Sequence, residues 1–95
     1  EVPTVINSKN ILKNPRNTLE KLCSKLNIDF SDSMLKWPSG VRKNDGVWAK
    51  YWYKSVINST EFAKYKEKEI KIDSRMKAIL NLCRPDYEYL KKHQI

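Results

Sequence analysis

The chain has 95 residues, 40% of them hydrophobic and 32% charged, with a formal net charge of +8 at pH 7. That is one small domain at most, too rich in apolar side chains for a disordered tail and without any apolar run near the roughly 20 residues that cross a bilayer. A domain of this length buries only about 60–65% of the surface its unfolded chain exposes, so it folds alone with little margin.

The chain opens on Glu1 rather than Met. No charged segment leads into an apolar one, so the opening is not a signal peptide; an excised piece or a processed product is expected. Thr4–Ile6 is β-branched, apolar and preceded by Pro3, which predicts one short N-terminal strand. Residues 7–12 then leave it through one helical turn. Residues 14–28, NPRNTLEKLCSKLNI, are the clearest helix. Asn14 can cap it, and Pro15 sits at the first helical position, where a missing N–H costs nothing. Leu19, Leu22, Cys23 and Leu26 follow the spacing of one buried face, and Asn27 stands where a left-handed terminal residue is wanted.

SDSMLKW, residues 31–37, predicts a short capped turn with Met34, Leu35 and Trp37 turned inward, after which Pro38 and Gly40 break the chain. The next stretch, RKNDGVWAKYWYKSV (42–56), follows two cations with a turn and then places two tryptophans and two tyrosines within six residues. Helix is expected from about Trp48, with Trp48, Trp52, Ser55 and Val56 on one face as core packing. Residues 61–72 read as a charged connection. Residues 73–93 predict a long helix capped by Asp73 or Ser74. Its apolar stripe is Met76, Ile79, Leu80, Cys83, Tyr87 and Leu90, and Pro85 should kink or divide it.

The basic balance suits a phosphate-bearing partner, although lysines alternating with glutamates, as in KYKEKEIK (64–71), also read as a solvating surface. Cys23 and Cys83 match no zinc spacing and form no disulfide framework. Two buried free thiols are expected, in keeping with a reducing, cytoplasmic compartment. His93, the sole histidine, reads as a helix-end cation rather than a base, and Asp86 and Glu88 do not read as an acid–base pair. A lone strand among helices has unpaired groups on both sides and wants a sheet this chain does not supply.

Two stretches carry a resemblance. VINSKNILKNPRNTLEKLCSKLNIDF (5–30) resembles a late strand–helix segment of P-loop sulfotransferases, through Asn14-Pro15, Thr18-Leu19, Leu22-Cys23, Leu26 and Ile28. SGVRKNDGVWAKYWY resembles the C-terminal nucleotide loop of that family, written R-K-G-x-x-G-D-W-K in its cytosolic members, with Asn44 at the position of the first of those glycines. It is more similar still to the branch related to the sulfotransferase domains of plant aminotransferase-like proteins. That branch shows W-x-x-G-x-R-x-x-D-G-V-W-A-x-x-W-Y. Trp37, Gly40, Arg42, Asp45 to Ala49, Trp52-Tyr53, and then Pro85, Tyr87, Leu90, His93 and Ile95 fit it.

The resemblance implies an α/β parent fold, a doubly wound parallel sheet with a P-loop. Residues 1–95 would be its single C-terminal segment, mostly α, with the P-loop half absent. It implies sulfuryl transfer from 3′-phosphoadenosine 5′-phosphosulfate (PAPS) to a hydroxyl or amine, with no metal. This segment would contribute the 3′-phosphate contact and bind PAPS or adenosine 3′,5′-bisphosphate. Arg42 can grip phosphate oxygens bidentately, or else sit in a surface salt bridge. Lys43 adds a point charge, Gly46 permits the turn, and Trp48 packs the loop or lies near the adenine. Tyr51 and Tyr53 are candidates for lining an acceptor pocket. No catalytic residue is expected here, and the fragment alone should be inactive. Two other readings stay open: a small nucleic-acid-binding module, for which cations among aromatics suit stacking on single strands, and a non-catalytic remnant serving as an interaction domain.

Overall fold

The computed structural model describes residues 2–95; Glu1 lies outside the described residues. The chain forms α1 (Ser8–Lys13), α2 (Pro15–Leu26), a 3₁₀ turn (Asp32–Met34), α3 (Ala49–Trp52), α4 (Lys54–Ile57) and α5 (Ser74–Lys91). The first three pack as one unit, and asparagines make its joints. The Asn7 side chain accepts from the N–H of Lys9 at 2.9 Å and starts α1. Asn14 serves both helices: its N–H donates to the Asn10 carbonyl at 3.0 Å, and its side chain accepts from the N–H of Asn17 at 3.2 Å. The Thr18 hydroxyl, buried in the angle between α1 and α2, donates to the Asn10 carbonyl at 3.2 Å. A buried hydroxyl needs such an acceptor, and this one locks the two helices together.

The end of α2 is as the spacing predicts. Asn27 adopts φ 56°, ψ 44°, and its N–H and that of Ile28 return to the last turn of the helix. The following turn, capped by Ser31, places Met34 Sδ 3.8 Å from Cys23 Sγ. Arg16 fastens that turn to α2 through Asp32 Oδ1 at 2.6 Å. The hydrogen bond and charge of Asp32, with a smaller contribution from Glu20, hold the Arg16 guanidinium protonated even more firmly than usual.

Four expectations are corrected. The strand at residues 4–6 is reduced to a single parallel bridge between Val5 and Gln94, and among the described residues no strand forms. A three-residue segment has two open edges, and among the described residues only the tail after α5 meets one of them, with Ile95 N–H donating to the Val5 carbonyl at 3.1 Å. The helix expected from Trp48 is instead α3 and α4, broken at Tyr53 (φ −102°, ψ 17°). Each piece lacks a side-chain cap at its start and is too short to propagate unaided. Pro85 does not divide α5, which runs unbroken from Ser74 to Lys91 behind its Asp73 cap. Only Cys23 of the two thiols is buried; Cys83 is exposed with the rest of its stripe.

That last correction is general. Trp48 and Trp52 were expected to be core, yet they are 61% and 74% exposed, and the α5 stripe from Met76 to Leu90 faces outward. The radius of gyration is 16.8 Å, where a compact chain of this length has about 12 Å. The accessible surface is 8712 Å², against about 5,700 Å² for a folded monomer of this mass. Among the described residues these apolar faces have no opposing layer.

Candidate functional site

Residues 36–61 form a loop with a tied base. Lys36 and Glu61 make an antiparallel bridge, the N–H of Trp37 donates to the Thr60 carbonyl at 2.8 Å, and the N–H of Gly40 donates to the Ile57 carbonyl at 2.7 Å. The Trp37 indole N–H donates to Ser59 Oγ at 3.0 Å, and its ring meets Phe62 edge-on at 5.3 Å. Gly40 sits at φ 121°, a backbone conformation that a Cβ would strain. The chain reverses there and carries the cations outward.

Arg42 and Lys43 are exposed on the tip. Arg42 Nη2 donates to the Pro38 carbonyl at 3.0 Å, which directs the side chain back over the loop base and leaves most of its donors open. Among the described residues, no carboxylate side chain pairs with either cation; the ion pairs there belong to Arg16. The tip closes on itself between Arg42 and Asp45. The Asp45 N–H donates to the Arg42 carbonyl at 3.0 Å, and the Arg42 N–H donates to Asp45 Oδ2 at 2.7 Å.

Beyond Asp45 the chain turns into α3, with Ala49 N–H donating to the Gly46 carbonyl at 3.0 Å. Asp45, Gly46, Trp48 and Tyr51 line one open, mainly apolar pocket of about 560 Å³ together with Val41, Val47, Ala49 and Lys50. Trp48 stacks on Trp52 at 5.7 Å between centroids with planes 28° apart, and Lys50 Nζ lies 5.0 Å from the centre of the Tyr51 ring. Arg42 and Lys43 border this pocket in sequence but do not line it. Tyr53 lies at the break between α3 and α4, outside the pocket.

The structure therefore joins Gly46, Trp48 and Tyr51 at one pocket and sets Arg42 and Lys43 on the loop before it. The sequence reading named Asp45 only as part of the family pattern, with no role at the site, and passed over Ser59 and Thr60. An Asp-Gly pair after two cations is a turn signal and pointed to Asp45; nothing in the sequence pointed to the other two. A dianionic phosphate suits a guanidinium and an ammonium with donors to spare, so the donor set present fits that group. Among the described residues, no group of three His, Cys, Asp or Glu side chains gathers as metal ligands, and no helix is long and apolar enough to cross a membrane.

Comparison with known proteins matches the sulfotransferase domain family over residues 2–93. Branched-chain-amino-acid aminotransferase-like protein 1 of Arabidopsis thaliana is 40% identical over 91 residues, and branched-chain-amino-acid aminotransferase-like protein 2 is 34% identical over the same length. Each match covers 96% of this chain, and the chain spans only 16% of the length of either relative. No solved structure matches significantly. With the family pattern covering the chain almost end to end, this protein belongs to the sulfotransferase domain family, whose fold is a P-loop α/β fold.

Proposed function

We propose that this chain is the C-terminal, 3′-phosphate-nucleotide-binding portion of a sulfotransferase that uses PAPS to sulfate a hydroxyl or amine. The observation that carries the reading is the loop tip. Two exposed cations, whose charged groups make no ion pair among the described residues, stand on a hydrogen-bonded base beside an aromatic pocket. In this reading Arg42 and Lys43 hold the 3′-phosphate, Gly46 shapes the turn into α3, and Trp48 flanks the nucleotide. Tyr51 and Tyr53 belong to the acceptor side. The donor nucleotide supplies the sulfuryl group; these residues bind and orient it.

The reading also has the rest of an α/β domain as this segment's partner. The outward stripe of α5, the exposed Trp48 and Trp52, and a radius of gyration well above that of a compact chain support it. Apolar area of that extent is stable in water only when covered. Residues 1–95 are then one segment of the domain, with the phosphosulfate-binding P-loop contributed from elsewhere in it.

The test is calorimetric titration of adenosine 3′,5′-bisphosphate into the full-length polypeptide that carries this chain. Saturable binding that Arg42→Ala weakens supports the reading. Equal affinity in the variant removes Arg42 from the site. Absence of nucleotide binding, together with oligonucleotide binding that falls steeply with salt, replaces it with the nucleic-acid-binding module.

A further inference from the structure

We propose that Asp45 is the positioning residue of the cationic tip, setting the direction in which Arg42 leaves the loop; the proposal rests on the reading of Arg42 as a phosphate ligand. The geometry is reciprocal. Asp45 Oδ2 accepts the Arg42 N–H at 2.7 Å while the Asp45 N–H donates to the Arg42 carbonyl at 3.0 Å. Both backbone polar groups of Arg42 are thereby fixed by one residue. A third constraint, Arg42 Nη2 on the Pro38 carbonyl at 3.0 Å, then defines the side chain at its far end. A charged acceptor makes the stronger hydrogen bond to a backbone N–H.

Asp45 brings two opposed effects to an anion site. Its charge repels a phosphate, while its acceptor oxygen holds the cation that attracts one. Its carboxylate oxygen is spent on the backbone of Arg42 rather than on the guanidinium. Asparagine separates the two effects, because its amide oxygen still accepts from the Arg42 N–H and carries no charge.

The experiment measures the affinity of the full-length polypeptide for adenosine 3′,5′-bisphosphate. It compares the unaltered protein with Asp45→Ala, Asp45→Asn, Arg42→Ala and the Arg42→Ala/Asp45→Ala pair. Asp45→Ala should lose about fivefold in affinity, less than the full worth of a hydrogen bond to a charged group, because this bond orients Arg42 and does not touch the nucleotide. Asp45→Asn should restore binding to the starting level or above it, and Asp45→Ala should have no further effect once Arg42 is gone. Equal or tighter binding by Asp45→Ala overturns the proposal, because repulsion is then all that Asp45 contributes. So does a fivefold loss that persists in the Arg42→Ala background, or an Asp45→Asn variant as weak as Asp45→Ala. Failure of the unaltered protein to bind the nucleotide is a separate result, and it overturns the reading of Arg42 along with this one.

Discussion

The Trp37 indole N–H and the Ser59 hydroxyl, 22 residues apart, meet at 3.0 Å and join the two arms of the loop that carries Arg42. Ser59 Oγ passes the bond on by donating to the Val56 carbonyl at 2.6 Å, so one hydroxyl links the indole to the end of α4. Ser59→Ala leaves a half-buried indole N–H without its acceptor. It should lower stability by about 1 kcal/mol, at the low end for an unsatisfied buried donor. Urea denaturation measures the loss, and Ser59→Thr, which keeps the hydroxyl, should recover most of it.

At the tip, the form of the cation matters as much as its sign. Arg42→Ala should weaken adenosine 3′,5′-bisphosphate binding by ~1.5–3 kcal/mol, the range for hydrogen bonds to charged groups. Arg42→Lys should recover only part of this. An ammonium has no planar fork with which to reach the Pro38 carbonyl and a phosphate together. Full recovery by lysine in a calorimetric titration would show that charge alone is read there.

Between α1 and α2, the buried Thr18 hydroxyl donates to the Asn10 carbonyl. Thr18→Val keeps the shape and deletes the donor. The expected cost is about 1 kcal/mol, seen as an earlier urea midpoint with an unchanged slope.

The end of α2 offers a stabilising change. Asn27 holds φ 56°, where an L side chain is strained even if asparagine tolerates it better than most. Asn27→Gly removes that strain at the helix terminus and should raise stability by up to about 1 kcal/mol in the same denaturation assay. Asn27→Ala should move it the other way.

Local rules were legible in the sequence where a residue acts on its own backbone neighbours. Asn14 before Pro15, Asn27 after the last leucine of α2, and Asp73 before α5 all cap where their types and positions say they should. Periodicity marked an apolar face on α2, of which Cys23 is buried but Leu26 is exposed, and a stripe on α5 that is exposed along its whole length. It carried no information on whether a facing layer exists, so Cys83, Trp48 and Trp52 were assigned to a core, yet among the described residues nothing covers them. The same lack of a partner explains Val5, whose β-branched neighbours favour extension but whose one bridge among the described residues is to Gln94.

The candidate site divides in the same way. Its chemistry, two cations followed by a turn and aromatics, was written in residues 42–53, and the resemblance of that stretch to the family's nucleotide loop suggested a phosphate ligand. The tertiary structure decided how that loop is held. Gly40 meets Ile57, Trp37 meets Ser59 and Thr60, and the Arg42 guanidinium turns back to Pro38. The first two of these meetings join residues 17 or more apart in the chain. Hydrogen-bond partners at that separation are fixed by the path of the backbone in space, which residue type and local spacing do not encode. What the sequence determined by itself was therefore the caps, the stripes and the family pattern, each a matter of near neighbours or of composition along the chain. Only the tertiary structure decided which stripe is covered and which side chain anchors the loop, because burial and long-range pairing depend on what stands opposite.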